Sequence, residues 1–543
     1  LLFGYPGGAA LPLYRELANW RGELAHVLVR HEQNAAHAAD GYARASGKVG
    51  ACVVTSGPGA TNLVTGLATA WMDGVPLLAL TAQVATTVQG TMAFQEVDIV
   101  SVARPVTKGT FAVRSAAEIP SVVAQALQLA KSGRPGPVLI DLPRDVLAGA
   151  VALIDDTVAE PADLNPNVAP ELPSAAARVA ALLNRAQRPV LLAGQGVVRA
   201  GAVGTLRAIA ERADVPVGTT LLGLGAFPEG HRLALGMVGM HGTVQANVAL
   251  HEADLVIGLG ARFDDRVVGR ARDFAPGATI VHVDVDPAAF GRVVRCDVPV
   301  LADVAAFLAH LAPAVETAAR PSWLAHLRDI GDEHRMCMFG VAGQMTSPSV
   351  IQALRLASGD EVTVVADVGQ HQMFAALHWG HDRPGRFFTT GGLGTMGYAV
   401  PAAMGVQRAR PGEVVWAIVG DGGFQMSAPE LTTLAAEGLP VKIAILNNGY
   451  LGMVRQWQEK FYDGVYSHSA LAQPDFARLA EAHGCYGRRV TTLDEVPKAI
   501  AAALNAAGPA VLDFRVDPEE TVFPMVPPGA SVGEVVCAEG RVL

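Results

Sequence analysis

The sequence predicts an α/β protein of three blocks, each built on a parallel sheet. Three observations carry this. Short apolar runs alternate with helical patterns through residues 1–150, as βαβ units do. Glycine turns follow the apolar runs, as from Val49 to Gly57-Pro58-Gly59 and from Val414 to Gly422-Gly423. Proline-rich stretches interrupt the pattern twice, at about 151–172 with Pro161, Pro166, Pro170 and Pro173, and again near Pro313 and Pro321. A chain of 543 residues also exceeds what one core holds. The expected blocks are 1–155, 173–312 and 345–520, with a tail over 521–543. The tail's Pro524-Met525-Val526-Pro527-Pro528-Gly529 is too rich in proline for a helix or a central strand.

Half the residues are hydrophobic, yet no stretch of about 18 uncharged apolar residues occurs. A soluble chain without a membrane partner is expected. The formal net charge of −10, with no basic run, argues against nucleic acid. Cys52, Cys296, Cys337, Cys485 and Cys537 are scattered, odd in number and without metal-ligand spacing, which reads as free thiols in a reducing compartment. With no signal peptide, the expected address is cytoplasmic. The chain opens at Leu1, without an initiator Met and within a strand pattern, so a removed organelle transit peptide is compatible with it.

In the third block, Val414–Val419 is a short apolar run rich in β-formers, read as a buried strand ending in Gly420-Asp421-Gly422. Residues 428–437 read as a helix, and Val441–Leu446 as a second buried strand ending in Asn447-Asn448-Gly449. Parallel strands end on one carboxyl edge. A carboxylate and an amide oxygen then meet there beside backbone N–H groups, an oxygen-only site for a hard divalent cation that bridges to a diphosphate. A lone Gly-Asp-Gly reads more simply as a turn.

In the first block Glu32 lies between the strand-like Ala25–Val29 and a helix start at Ala35, where a carboxylate also simply favours a helix N-terminus. Ser56-Gly57-Pro58-Gly59-Ala60-Thr61-Asn62 and Phe3–Ala9 are glycine turns. The middle block has Gly194-Gln195-Gly196, Gly239-Met240-His241-Gly242-Thr243, Gly260-Ala261-Arg262-Phe263-Asp264-Asp265-Arg266 and His282–Pro287. Asp284 suits a ribose hydroxyl, though no Gly-x-Gly-x-x-Gly has the right flanks. Taken singly, each of these reads as a turn.

Gly-Asp-Gly followed just under thirty residues later by Asn-Asn resembles the metal-diphosphate motif of thiamine diphosphate enzymes. Two similar α/β domains flanking a third is also that superfamily's plan: a pyrimidine-binding first domain, a diphosphate-binding third, and a domain between them. The middle turns, the Arg262–Arg266 segment above all, resemble the FAD-binding domain of acetohydroxyacid synthase (acetolactate synthase). Gly369–Met373, Gly391–Gly397 and Leu451–Trp457 extend the resemblance to the catalytic subunit of the biosynthetic, FAD-containing family, over nearly the full chain.

The resemblance implies the thiamine diphosphate-binding fold with a central FAD-binding domain, and three cofactors: thiamine diphosphate, Mg2+ and FAD. Asp421, Asn448 and the carbonyl of Tyr450 would hold the metal, with Gln370, His371, Gly422 and Gly423 near the diphosphate. Glu32 would hydrogen-bond N1′ of the aminopyrimidine from a closed apolar site that raises its pKa; His31 beside it has no assigned role. Gly8, Phe94 and Gln95 would approach the reacting centre, the last two from a partner subunit. Met396 would wedge the cofactor into its bent form. Met453 and Trp457 would line the substrate pocket, although core packing explains them as simply. Arg266 would fork onto the carboxylate of a second 2-keto acid, and Lys108 joins the catalytic set. Gly194, Gly196, Met240, His241, Gly260, Arg262, Asp264, Asp284, Asp303 and Arg134 complete the cofactor contacts.

The implied reaction decarboxylates pyruvate and transfers the two-carbon unit to a second 2-keto acid, the first common step of branched-chain amino-acid biosynthesis. Pyruvate as acceptor yields acetolactate and 2-ketobutyrate yields acetohydroxybutyrate, with a flavin that is structural. A homodimer or higher homo-oligomer and a separate regulatory subunit are the implied partners. The chain departs from the family pattern at Asn34, at Ala85-Thr86-Thr87, at Met92 and at Arg144, mostly along the substrate approach. Rival readings are a glyoxylate carboligase, which Glu32 argues against, a pyruvate oxidase with a redox flavin, and an inactive assembly subunit.

Overall fold

The computed structural model describes residues 1–20, 22–151, 171–335, 344–538 and 540–541. Cys337 and nearly all of the expected linker over 151–172 lie outside the described residues. Among the described residues, eighteen strands form three six-stranded sheets. The first contains β1 (Leu2–Tyr5), β2 (His26–Leu28), β3 (Gly50–Val54), β4 (Leu77–Gln83), β5 (Gly109–Ala112) and β6 (Pro137–Pro143). The second contains β7 (Pro189–Ala193), β8 (Val217–Thr219), β9 (Ala234–Met237), β10 (Leu255–Leu259), β11 (Thr279–Asp284) and β12 (Val298–Leu301). The third contains β13 (Val362–Ala366), β14 (Phe387–Phe388), β15 (Val414–Gly420), β16 (Lys442–Asn447), β17 (Tyr486–Val490) and β18 (Ala510–Arg515). The sheets are parallel and helix-covered, so strands such as β6, β7 and β13 are buried along their whole length.

The first sheet has the order β2-β1-β3-β4-β6-β5 and the third β14-β13-β15-β16-β18-β17, one plan used twice. The second runs β12-β11-β10-β7-β8-β9, the order of a doubly wound dinucleotide-binding sheet. Its crossovers leave a crevice at the carboxyl ends of β7 and β10, where the winding reverses.

The chain groups into two compact units. One comprises Leu1–Leu164, Ser358–Gly369 and Phe388–Arg515; the other comprises Asn165–Ala357, Gln370–Phe387 and Val516–Leu543. Within the former, the first and third sheets share one apolar core, in which Val54 and Leu67 join Ala402, Val419 and Phe424. Two helices, Glu32–Ser46 and Ala399–Ala409, cross in it at backbone contact. A Cβ on Gly41 would lie 2.1 Å from the Ala402 carbonyl oxygen, and one on Gly405 only 1.9 Å from that of Ala38.

Two expectations need correction. Pro321 does not sit in a linker: it occupies the first turn of a helix, Pro321–Glu333, where its missing N–H costs nothing, and Trp323 and Leu327 bury against the second sheet. The thiols are not uniformly free either. Cys52, Cys296 and Cys485 are free, whereas Cys537 is disulfide-bonded. The tail is irregular apart from the short hairpin Val536–Cys537 with Gly540–Arg541. Among the described residues no helix is long and apolar enough to cross a membrane.

Gly405→Ala pushes the paired helices apart. We expect it to destabilise by about 1–3 kcal/mol or more, seen as a lower thermal unfolding midpoint; an unchanged midpoint would contradict backbone-to-backbone packing.

Candidate functional site

Asp421 and the asparagine pair stand side by side because β15 and β16 are adjacent and parallel, with Gly420 opposite Leu446. Asp421 opens the short helix Asp421–Ser427 and is 1% exposed. Burial pushes its carboxyl up to about 6, against the pull of Gln473 and of the Gly422 and Gly449 N–H groups. Gln473 Nε2 donates to Asp421 Oδ2 at 2.6 Å. Asn447 turns inward, its Nδ2 donating to Asp513 Oδ1 at 2.8 Å. Asn448 Oδ1 accepts the Tyr450 N–H at 3.0 Å, which fixes the turn carrying the Tyr450 carbonyl. A buried carboxylate attended by amides, beside amide and carbonyl oxygens, fits a hard divalent cation. Gly422 lets apolar side chains close in on this turn: a Cβ there would lie 2.8 Å from Leu451 Cδ2 and 3.4 Å from Met396 Cε.

Met396 is thus brought to the same strand end, and the loop that carries it is pinned from three directions. Asp73 accepts the N–H groups of Gly391 and Gly392 at 3.3 and 2.8 Å. Thr69 and Thr395 hydroxyls meet at 2.7 Å. Asp367, fully buried just beyond β13, accepts from Gly397 N at 3.0 Å and Tyr398 N at 3.3 Å. None of Asp73, Thr69, Asp367 and Gln473 stood out in the sequence. Asp367 had a readable signal, an acid directly after a buried apolar run, the same pattern that marks Asp421.

At the first sheet's carboxyl edge, Glu32 is the first residue of the helix Glu32–Ser46. His31 is its N-cap, Nδ1 accepting the Gln33 N–H at 3.1 Å, which supplies the missing role. Glu32 Oε2 accepts from Asn62 Nδ2 at 2.9 Å. Its Oε1 would lie 3.3 Å from a Cβ on Gly59, so glycine keeps this carboxylate approachable. Glu32 is half-buried in this chain rather than enclosed. Gly8 is exposed, with nothing within 4 Å of where its Cβ would stand. Gln95 adopts a left-handed φ of 63° and its loop rests on Gly57, while Phe94 is thrust outward, 89% exposed. Met453 and Trp457 lie on the helix Gly452–Phe461. The Trp457 ring packs edge-on against Phe461 at 5.5 Å, beside an open groove of about 550 Å³ lined also by Val454, Tyr462 and Val465.

Two of the expected site residues stand at helix ends. Lys108 Nζ donates to the carbonyls of Leu129, at 2.6 Å, and Ser132, closing the end of the helix Ile119–Lys131. Arg134 donates to the Trp71 and Met72 carbonyls at 3.2 and 2.7 Å, closing the helix Val64–Asp73. Cations at helix C-termini satisfy orphan carbonyls and the helix dipole. Both cap helices here.

In the second sheet the turns after β7 and β10 interlock. A Cβ on Gly194 would lie 2.2 Å from the Gly260 oxygen, and one on Gly196 lies 2.7 Å from Gly260 Cα. Only glycines permit this approach at the crevice. Asp284 ends β11 and accepts the Asp286 N–H at 2.9 Å. Arg262 pairs with Asp264 at 2.7 Å, and Asp264 caps the turn Asp265–Val268. Met240 donates its N–H to the Arg266 carbonyl at 2.7 Å, and the exposed Arg266 guanidinium reaches Met240 Sδ at 3.3 Å. His241 is buried against the tail, Nδ1 lying 3.3 Å from the Pro524 oxygen, and burial pushes its pKa down to about 4. Asp303 accepts from Ala305 N and Ala306 N as the N-cap of Val304–Leu311. Gln370 and His371 open the helix Gln370–His378, with Gln370 Nε2 donating to the Glu520 oxygen at 2.8 Å.

Comparison with known proteins agrees with this arrangement. Residues 1–102 match the N-terminal binding domain of thiamine pyrophosphate enzymes, 176–311 their central domain and 367–514 their C-terminal binding domain. Over 99% of its length the chain is 47% identical to an acetolactate synthase of Mycobacterium bovis, covering 89% of that protein. The chain belongs to the acetolactate synthase family of thiamine pyrophosphate enzymes. It is also 46% identical to the acetolactate synthase large subunit of Corynebacterium glutamicum over 99% of this chain and 88% of that one. With the isozyme 2 large subunit of Escherichia coli K12 identity is 44%, over 98% of this chain and 96% of the other. In this family frame, the two sheets of like order are the thiamine pyrophosphate-binding domains, and the doubly wound sheet is the central domain.

Burial pushes Asp367 up to about 7 from its usual 3.8. Its folded form therefore holds a proton that the unfolded chain releases, so the cost of ionising it is absent below about 4 and complete above about 7. Asp367→Asn escapes that cost. Its thermal midpoint relative to the parent should climb as pH rises from 4 to 7; a flat offset would show that Asp367 ionises freely.

Proposed function

We propose that the chain is the carboligating subunit of an acetolactate synthase. It would decarboxylate pyruvate and pass the two-carbon unit to a second 2-keto acid. The observation that carries this reading is the adjacency of buried Asp421 to the Asn448 turn at two neighbouring strand ends. Asp421, Asn448 and the Tyr450 carbonyl would hold Mg2+ and, through it, a diphosphate, with Gly422 and Gly423 admitting the phosphates. Thiamine diphosphate, when bound, supplies the electron sink that lets a 2-keto acid lose carbon dioxide.

The chain's own residues would do the rest. Glu32, steadied by Asn62, would exchange a proton with the pyrimidine ring. Met396, on its pinned loop, would impose the bend of the cofactor, which makes proximity the main catalytic device. Met453 and Trp457 would wall the substrate, and Arg266 would offer a guanidinium fork to a carboxylate. Gly194, Gly196, Gly260, Asp284 and their neighbours would hold FAD, in a structural capacity. The outward Phe94 and the Gln95 beside it suit service in a second copy's site, which supports a homodimer. The relatives' name of large subunit supports a separate regulatory partner. We place the protein in the cytoplasm.

Glu32→Gln should lower acetolactate formation by about 10²–10⁴-fold while thiamine diphosphate still quenches the protein's fluorescence; full activity would remove Glu32 from the reaction. Asp421→Ala should weaken Mg2+ and thiamine diphosphate together, by tenfold or so for each lost charge-assisted contact. Cofactor affinity equal to the parent's would remove the metal reading.

A further inference from the structure

Glu430 opens the helix Glu430–Ala436, which follows the Asp421 helix, and is 0% exposed. One of its oxygens bonds within its own helix and the other bonds outside it. Oε1 accepts the backbone N–H of Arg30 at 2.8 Å and Nδ2 of Asn34 at 3.0 Å. Oε2 accepts the Thr433 hydroxyl at 2.6 Å, and that hydroxyl oxygen lies 3.4 Å from the Leu28 carbonyl. Asn34 is itself buried. One oxygen of the third sheet's layer therefore holds the chain two residues before Glu32 and two residues after it. The strand-to-helix turn that presents the Glu32 carboxylate is fixed from below by a carboxylate that never reaches the surface.

We propose that Glu430 is a positioning residue for Glu32, acting through Arg30 and Asn34. The proposal rests on the reading of Glu32 as the proton-exchanging acid. The physical reason is the steep dependence of proton transfer on geometry, where a shift of about 1 Å costs on the order of 10²-fold. Without Glu430, the Arg30 N–H and the Asn34 amide lose their shared buried acceptor and the turn relaxes. Asn62 then meets Glu32 at a different angle. Because Glu430 and Asp421 lie on consecutive helices, the same bond network also ties the turn of the acid to the element that bears the metal ligand.

The test uses the full-length protein as Glu430→Ala and Glu430→Gln, each alone and with Glu32→Gln. Five quantities are read: kcat and KM for pyruvate, thiamine diphosphate affinity by fluorescence quenching, thermal midpoint, and amide hydrogen exchange of residues 28–34 without cofactor. Glu430→Ala should lower kcat about 10–100-fold, with KM and cofactor affinity within about threefold, and should speed exchange in residues 28–34. Glu430→Gln, whose amide oxygen can accept from both donors, should restore most of kcat and of the protection. In the Glu32→Gln background Glu430→Ala should cause no further loss, because the group it positions is gone.

A kcat within twofold of the parent in Glu430→Ala overturns the proposal, as does an equal fold-loss in both backgrounds. If Glu430→Ala does not fold, Asn34→Ala takes its place: a several-fold lower kcat at unchanged KM supports the proposal, and an unchanged kcat overturns it. A fully active Glu32→Gln defeats the underlying reading instead; an inactive Glu32→Gln beside an unaffected Glu430→Ala defeats this inference alone.

Discussion

The site depends on a carboxylate buried, among the described residues, without a cation of its own. Asp421 is placed by the end of β15 and closed off by its helix, and burial holds its proton to about 6. Amides attend it, from Gln473 and from the backbone. Taking a carboxylate out of water is costly unless a positive charge arrives. On the proposed function, the neighbouring oxygens of Asn448 and Tyr450 would complete a donor set for a hard cation. The fold keeps this unfavourable group in place through the close-packed sheet beneath it.

That sheet is rigid because its layers meet at backbone distance. Gly41 and Gly405 let two helices touch, and Gly423 lets the Asp421 helix lie against Asp367. Asp367 in turn grips the loop carrying Met396. Buried carboxylates thus serve repeatedly as acceptors for loop N–H groups: Asp73 for Gly391 and Gly392, Asp367 for Gly397, Glu430 for Arg30. Each fixes a loop by a hydrogen bond shielded from water, where such bonds are strong and where breaking one is expensive. The second sheet uses the same close approach of glycines, at Gly194, Gly196 and Gly260, where its winding reverses.

Much of this was legible in the sequence because it is local. A buried strand followed by Gly-Asp-Gly, and another followed by Asn-Asn, fix both the element and the sheet edge on which its residues stand. The repeated order of the outer sheets was visible only as two similar glycine turns, since strand order is set by long-range pairing. The missed residues share that character: Asp73 reaches a loop 318 and 319 residues away, and Glu430 acts across 400 and 396. The helix-capping bonds of Lys108 and Arg134 span 21 to 63 residues and were equally invisible.

The account is tested most directly by the products formed from pyruvate as sole substrate, with Mg2+, thiamine diphosphate and FAD, under nitrogen. Acetolactate and carbon dioxide in equal amounts, with the flavin remaining oxidised, are the predicted result. Acetaldehyde or acetate as the main product, or bleaching of the flavin in step with turnover, would contradict it.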